Sequence, residues 1–402
     1  MGKDSDNIIE GQSTSQYDSK EISMHGYSQF KLPDKNSEKW RKINMNRVEK
    51  ILELSKDGEM KKSNLKIPKL PDSSLRIRLD ENLNELRSKA LPNGISVIDD
   101  KEAKRYFEEE GNKNCLSDDW SLALNNQYLN KTIAIKISKQ SKSSIEVVIP
   151  DNSGCLTTTR LLIIVDTHAE LELLEVILGT KETAHSHLCK IVLNKNAKIN
   201  HGLIAIGNSQ SYFIGKISVS QFPSSEYSLS FLQEGWQLSR LEPEIKQNHG
   251  DSLTSIKGLQ IARKDGQLST FSKIIFNGPQ GKLNQIQKSI SLDNSHSIFN
   301  GLIEVPKVAQ KTNASQLSKN LLLSDKAKID TKPELRIIAD DVRCTHGATI
   351  SELQEEEIFY LQSRGLSSSQ AASLIISGFS RDVIQALPLE PKRWSFLSSF
   401  IN

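Results

Sequence analysis

The sequence predicts a mainly β protein in which a parallel β-solenoid is flanked by helical regions. Between residues 130 and 349, apolar residues recur at every second position in many short runs, which is the period of a strand. On both sides of that stretch they recur every three or four positions, which is the period of a helix. The 402 residues therefore divide into a polar tail at 1–36, an N-terminal helical region at 37–129, a β core at 130–349 and a C-terminal helical region at 350–402.

The first two segments differ in their apolar content. Residues 1–36 are rich in Ser, Asp, Lys and Gln and contain no apolar cluster, so we expect them to be disordered. Ser37 is positioned to cap a helix whose apolar face includes Trp40 and Ile51. Further helical patterns occupy 83–91, 101–110 and 118–129, and the last ends directly before the alternating pattern starts.

The β core is a long series of short strand patterns. Clear alternation at 133–137 and 145–149 is followed by apolar runs as far as residue 323, and Gly, Asn, Asp and Ser separate the runs. One ordinary sandwich of about 100 residues is too small for this series, although a barrel or two sandwiches would fit it. A solenoid accounts for the many short strands because each rung pairs with its neighbours. The sequence shows no clean repeat period.

Helical periodicity returns after residue 349. Residues 355–364 predict a short helix that Gly365 would end. Ser367 and Gln370 then have the spacing of a capping box, and an apolar stripe that includes Ile376 follows them. The sequence thus predicts a helical hairpin whose stripe either packs on the β core or contacts a partner.

Composition excludes several classes of function. The net charge of +3 is too small to indicate a nucleic-acid or membrane surface, and no apolar stretch approaches the ~20 residues of a membrane span. Residues 1–21 lack the apolar run of a secretory signal. The four cysteines are widely spaced without a CxxC pair, which is typical of free thiols in a reducing compartment. We therefore expect a cytoplasmic protein that binds neither nucleic acid nor a membrane.

The sequence gives no positive sign of an enzyme. Residues 278–283 resemble a phosphate loop only superficially, because two residues rather than four separate the glycines and Leu283 replaces the Ser or Thr. Neither a dinucleotide fingerprint nor a nucleophile elbow is present.

Cys344 and His346 are the first candidate metal ligands. Two residues apart on a strand, they would point to the same face, and thiolate and imidazole are side chains that iron and its clusters prefer. The alternative is that Cys344 packs as a small apolar residue and His346 is a hydrogen-bonded turn residue. One Cys and one His cannot complete the usual set of four ligands.

A second candidate site contains His185, His187 and Cys189. On a strand these three side chains would share one face, which suits a transition metal. They would equally well be core residues, since Cys189 opens an apolar run. Four further histidines, His168, His201, His249 and His296, are isolated in the sequence, and we interpret each as structural or solvated.

A dense series of short motifs occupies the last third of the chain. They are Phe299–Gly301, Ala309–Thr312, Lys319–Ser324, Asp330–Pro333, Ala339–Val342, Cys344–Thr349, Ile358–Leu361 and Ser363–Gly365. Together they resemble the core of the SufB/SufD family of iron–sulfur cluster assembly proteins. The length, the cysteine count and the segment Glu38–Arg41 are most similar to the SufD branch.

The resemblance implies a structure and a role. Members of this family have a right-handed parallel β-helix between helical regions, and SufB and SufD pair with each other and with the ABC-type ATPase SufC. It implies a non-catalytic scaffold whose C-terminal helices dock the ATPase, here through Phe359, Leu361, Ile376 and Phe379. It also implies that His346, with Cys344 as its companion, is a candidate ligand of a transient iron–sulfur cluster at the SufB interface.

Two rival functions remain open at this stage. One is a stand-alone metal-binding adaptor that uses His185, His187 and Cys189. The other is a β-helix polysaccharide-active enzyme, against which the missing secretory signal argues.

Overall fold

The structure is a computed structural model, and it describes residues 31–55, 66–71, 74–81, 91–111, 119–179, 181–353 and 355–400. Most of the tail predicted to be disordered, residues 1–30, therefore lies outside the described residues. Within the described ranges no helix is long and apolar enough to cross a membrane.

The β core is a solenoid made of two sheets. Counted over the described ranges, eighteen strands form two sheets of nine strands each. In chain order the strands β1 to β18 are Leu75–Arg78, Ile95–Val97, Lys131–Ile137, Lys142–Ile149, Leu156–Val165, Glu170–Leu178, Thr183–Leu193, Lys198–Ile206, Ser211–Gln221, Glu226–Glu234, Leu238–Gln247, Leu253–Ala262, Gln267–Phe276, Lys282–Ser291, His296–Val305, Asn313–Leu322, Lys328–Ile337 and Arg343–Glu352.

Successive strands alternate between the two sheets. One sheet has the order β1-β4-β6-β8-β10-β12-β14-β16-β18 and the other β17-β15-β13-β11-β9-β7-β5-β3-β2. The strand pairs are parallel apart from the antiparallel pair of β2 with β3 at the first end. This arrangement confirms the mainly β, parallel β-helix prediction and rules out the barrel and the pair of sandwiches.

The register explains why the sequence shows no clean repeat. Leu156 pairs with Ala184, 28 residues later, whereas Gln267 pairs with His296, 29 residues later, and His296 with Lys328, 32 residues later. Turn residues with a positive φ also change in type from rung to rung, as at His168, with φ 58°, and Ser224, with φ 59°. A drifting period without fixed glycines leaves little signal in the sequence.

Three of the four apolar clusters among the described residues join the main parts of the molecule. The inward-facing residues of both sheets form a continuous core along the bore of the β-helix, from Ile77 to Ala339. On the outside, Trp40, Val48 and Ile51 pack against β5, β7, β9 and β11. The C-terminal segment packs on the opposite outer face, where it covers residues such as Leu259 and Ile290. The helical regions are thus attached to the two faces of the solenoid.

The N-terminal region is less helical than the sequence predicts. Helix α1 spans Met45–Glu53 and is capped by Asn44, whose side chain accepts a hydrogen bond from the Asn46 backbone N–H. The helix predicted from Ser37 was therefore placed too early, because residues 37–43 form turns. Helices α2, Asp100–Gly111, and α3, Trp120–Gln127, follow as predicted. The helix predicted at 83–91 lies outside the described residues apart from its last residue. Strands β1 and β2 also fall in this region and extend the solenoid beyond residue 130 toward the N-terminus.

The C-terminal hairpin matches its prediction closely. Helix α4 spans Glu355–Ser363, and Gly365 follows it with a φ of +94°. Helix α5 spans Ser368–Ile384 and begins with the predicted capping box between Ser367 and Gln370. Two 3-10 turns, Pro391–Arg393 and Ser395–Phe400, end the described chain.

Two polar anchors fasten this C-terminal segment to the solenoid. The Lys288 ammonium donates to the Phe379 carbonyl oxygen at 2.6 Å and to Asp382 Oδ1 at 2.6 Å. The fully buried carboxylate of Glu146 accepts from Arg393 Nη2 at 2.9 Å and from Arg76 Nε at 2.6 Å. Because each anchor joins residues far apart in the sequence, neither could be predicted from local sequence patterns.

Candidate functional site

The last rung of the β-helix, β17 with β18, leaves one end of the solenoid uncovered among the described residues. We call this rung the open end. Each of its strands pairs with an earlier strand on one side only, because β17 and β18 are the terminal strands of their sheets. Three isoleucines are exposed there: Ile337 by 41%, Ile338 by 68% and Ile350 by 50%. Unpaired strand edges beside exposed apolar side chains are typical of a surface that a partner covers.

Cys344 and His346 lie on β18 at the open end. Cys344 pairs with Ala314 and His346 pairs with Gln316, and both of these partners are buried inward-facing residues. The two candidate ligands therefore extend an inward row of the bore to its open end, with Cys344 half-buried against the inner core and His346 exposed. Burial raises the pKa of the Cys344 thiol, against a smaller opposing effect of its hydrogen bond with the Ala314 backbone.

This geometry determines what the pair can do. A thiol and an imidazole two residues apart present their donor atoms on one side of the strand. Two protein ligands do not complete a tetrahedral set, and β18 is the terminal strand of its sheet. The sequence prediction that the two side chains share a face thus agrees with the register.

A second polar group is enclosed in the bore several rungs away. We call it the bore cluster, and its members are Thr159, Glu175, His187, Cys189, His201 and Tyr227. The Glu175 carboxylate lies at its centre, with Oε2 2.7 Å from His187 Nε2 and Oε1 2.8 Å from His201 Nε2. All six residues are buried, and Glu175 and His201 are 0% exposed.

Hydroxyl groups hold the outer nitrogens of both imidazoles. Thr159 Oγ1 lies 2.7 Å from His187 Nδ1, and the Tyr227 hydroxyl lies 3.0 Å from His201 Nδ1. Both rings are therefore fixed with Nε2 toward Glu175.

Burial and charge act against each other in the bore cluster. Burial alone would raise the pKa of Glu175, but His187 and His201 outweigh it and hold the pKa well below the usual range. For Cys189, burial raises the pKa well above its usual value, and the adjacent Glu175 raises it further. Burial also raises the pKa of Tyr227. The carboxylate is thus the charged centre among neutral thiol and phenol groups.

The structure gives the three residues of the second candidate site different hydrogen-bond partners. His185, His187 and Cys189 all lie on the inward face of β7, in the order that the alternation predicts. His185, however, is held by the Leu178 carbonyl oxygen at 3.0 Å and contacts Trp236 edge to face, with ring centroids 6.1 Å apart. Only His187 and Cys189 belong to the bore cluster.

Sequence reasoning missed Glu175 and His201, which lie on β6 and β8 in the facing sheet. His201 is isolated in the sequence and was interpreted as structural or solvated; it is buried, and the fold places it against Glu175. A usable signal did exist. Both residues interrupt an apolar alternation at inward positions, Glu175 between Leu173 and Ile177.

The four residues predicted to bind a partner on the C-terminal helices have different surroundings. Phe359 is 71% exposed, and Leu361 two residues later is partly buried. Ile376 and Phe379 are partly buried because they pack against the outer face of the solenoid. The outer surface of the hairpin is instead formed by Phe359, Tyr360 and Leu374, which are at least half exposed.

Comparisons with known proteins agree with this architecture. Residues 148–379, more than half of the chain, match the family model described as SUF system FeS cluster assembly, SufBD core domain. An iron–sulfur cluster assembly SufBD family protein of Synechocystis is 34% identical over 63% of this chain and 59% of its own length. Iron–sulfur cluster assembly protein SufD of Escherichia coli is 32% identical over 54% of this chain and 52% of its own length.

A further relative extends the same pattern. SufD of Bacillus subtilis is 25% identical over 65% of this chain and 60% of its own length. The chain thus spans between half and two thirds of the length of these curated relatives. The matched region contains the bore cluster, the open end and most of helix α5, and relatives named SufD recur among the matches. This chain belongs to the SufB/SufD family and is most like its SufD members.

Proposed function

We propose that the chain is a non-catalytic scaffold subunit in cytoplasmic iron–sulfur cluster assembly. The observation that carries the proposal is the open end, where two unpaired strand edges, exposed isoleucines and the Cys344–His346 pair occur together. The family match and the role in iron–sulfur cluster assembly that the SufD relatives carry in their names support the same conclusion.

The open end fits a second scaffold subunit of the SufB type. A partner that adds its own strands to β17 and β18 would satisfy the free backbone groups of both edges and cover the exposed isoleucines. Such an interface would continue the bore into the partner. Cys344 and His346 would then face the partner from the end of an inward row.

The iron–sulfur cluster is the cargo of this interface. The chain would offer the His346 imidazole and the Cys344 thiolate, and the partner would supply the remaining ligands. Burial raises the pKa of the Cys344 thiol, so the neutral thiol is favoured in the free chain, and it would lose its proton when iron binds. Among the described residues Cys344 is the one thiol on the rung at the open end, since Cys189 lies on β7 and Cys155 directly before β5.

The C-terminal hairpin fits an ATPase of the SufC type. Its inner side packs on the solenoid through Ile376 and Phe379 and is anchored by Lys288. Its outer side presents Phe359 beside Tyr360, a pair of exposed aromatic residues that a partner pocket would bury. A hairpin fixed in this way would transmit a movement of the ATPase to the strands beneath it.

Anaerobic co-purification with the SufB-like and SufC-like proteins of the same genome tests the proposal. We expect a stable complex that contains this chain, and cluster assembly in that complex that His346→Ala reduces at least tenfold. His249→Ala, which changes a histidine in a turn remote from the open end, is the matched control and should leave assembly unchanged. No association between folded partners would disprove the scaffold role, and full activity of His346→Ala would disprove the ligand role.

A further inference from the structure

The bore cluster brings three different metal-ligating atoms into one small volume. A carboxylate oxygen of Glu175, the thiol sulfur of Cys189 and a ring nitrogen of His201 all lie within 4.8 Å of one another, and all three residues are buried. Ligands at about 2.0–2.3 Å from one ion would need only small side-chain movements from these positions. Oxygen, sulfur and imidazole nitrogen together suit zinc and ferrous iron rather than magnesium or calcium.

The atoms that face away from this volume are held by a second set of hydrogen bonds. His201 Nδ1 contacts the Tyr227 hydroxyl at 3.0 Å, and the second carboxylate oxygen of Glu175 contacts His187 Nε2 at 2.7 Å. His187 is itself fixed through Nδ1 by Thr159 Oγ1 at 2.7 Å. Ligating imidazoles and carboxylates in metalloproteins are oriented by outer partners of this kind.

The protons can be rearranged for metal binding without breaking these contacts. In the neutral form of His201, Nε2 donates to Glu175 Oε1 and Nδ1 accepts from the Tyr227 hydroxyl. With an ion bound, the proton resides on Nδ1 and is donated to the phenol oxygen, which frees the Nε2 lone pair. The Cys189 thiol gives up its proton to solvent as the sulfur–metal bond forms.

The charges also balance. The carboxylate of Glu175 and the thiolate of Cys189 carry two negative charges, and one divalent ion neutralises both. A neutral assembly is what a fully buried position requires, because an uncompensated charge there is costly.

We propose that Glu175, Cys189 and His201 bind one divalent transition-metal ion, zinc or ferrous iron, inside the bore of the β-helix, with His187 as the positioning residue for Glu175. This site is separate from the open end. His201 and His346 lie in the same inward row, but the register places four residues between them, Leu229, Ile256, Gln285 and Gln316. The proposal therefore stands or falls independently of the scaffold role.

Full enclosure of the site determines how it must be tested. Because the ligands are buried, the ion enters as the rungs fold, and metal added to the folded protein is not a fair test. The full chain is instead refolded anaerobically with Co²⁺, which replaces zinc and reports its ligands by its optical spectrum. A thiolate ligand gives an intense near-ultraviolet charge-transfer band, and tetrahedral cobalt gives strong visible bands.

The four cysteines of the chain allow a design that leaves the site intact. A triple variant with Cys115→Ser, Cys155→Ser and Cys344→Ser keeps Cys189 as the sole thiol. We expect it to refold with stoichiometric cobalt and the full charge-transfer band. We expect Cys189→Ser to lose the band, and His201→Gln to bind cobalt at least tenfold more weakly.

Two results would overturn the proposal. One is a refolded wild-type chain with native circular dichroism and no bound cobalt. The other is loss of the charge-transfer band in the triple variant, which would assign the thiolate to one of the other three cysteines. If Cys189→Ser does not fold, the comparison of wild type with the triple variant still decides between these outcomes. Zinc analysis of chain purified from zinc-supplemented cells without a chelator checks the same site, with about one equivalent expected.

Discussion

Replacement of Ile350 by Asp tests the open end as the interface with a second scaffold subunit. Ile350 is 50% exposed on β18, so the free chain already tolerates water around half of the side chain. In the complex, loss of the remaining apolar burial costs about 1 kcal/mol, since full burial of an isoleucine is worth about 1.5–3 kcal/mol. A carboxylate placed without a partner in an apolar interface adds about 3 kcal/mol.

The sum of about 4 kcal/mol corresponds to a loss of about a thousandfold in affinity. Titration of the SufB-like partner with wild-type chain and with Ile350→Asp, followed anaerobically by calorimetry, measures this loss directly. Leu253→Asp is the matched control, because Leu253 is a strand residue of similar exposure, 41%, in the middle of the solenoid. Both variants should keep the thermal stability of the wild type.

Two outcomes would refute this reasoning. If Ile350→Asp binds the partner as tightly as the wild type, the open end is not the interface. If Leu253→Asp weakens binding as much as Ile350→Asp does, the loss of affinity comes from the added negative charge itself and not from its position at the open end.

Three further predictions follow from the same contacts. Phe359→Ala should weaken ATPase binding at least tenfold and change the free energy of unfolding by less than about 0.5 kcal/mol. Phe379→Ala, which removes a side chain packed on the solenoid, should instead destabilise the fold by about 2 kcal/mol. Denaturant titration and binding assays separate these effects, and the reverse pattern would contradict the docking model. Burial lowers the pKa of His185 to about 4, so the folded state stays neutral while the unfolded state, with a pKa of about 6.5, takes up a proton as the pH falls. Wild type should therefore lose about 2 kcal/mol more than His185→Gln between pH 7 and pH 5 in urea unfolding, and equal losses would refute this origin. Glu146→Ala should destabilise the chain by about 3 kcal/mol because it leaves the Arg76 and Arg393 guanidinium groups without their shared carboxylate. The control Glu170→Ala, which removes a half-exposed surface ion pair, should destabilise it by less than about 1 kcal/mol in the same denaturant titration. Equal losses of stability would show that the buried ion pair contributes no more than the surface pair.

Local patterns in the sequence determined many, though not all, of the elements of this protein. The two-residue period of 133–149 predicts strands, and the structure has β3 and β4 there. The spacing of Ser367 and Gln370 predicts the start of α5 to the residue. These predictions are confirmed because strand alternation and helix capping depend on residues only a few positions apart in the sequence.

The helix start near Ser37 shows where local reasoning ends. Residues 37–43 have a helical pattern of apolar side chains, but Trp40 packs edge to face on Trp120, with centroids 5.3 Å apart, and stacks with the Arg240 guanidinium 4.0 Å from its ring. Asn44 then supplies the cap. Contacts with residues 80 and 200 positions away determined where this helix begins.

The candidate sites divide in the same way. That Cys344 and His346 share a face follows from their spacing on a strand, but their position at an open end follows from β18 being the last strand of its sheet. Within the bore cluster, the placement of His187 and Cys189 on one face of β7 was readable from the sequence. Glu175 and His201 lie on the other sheet, and they join the cluster only because the solenoid coils back on itself. A contact across the bore cannot be predicted from the spacing of residues along one strand.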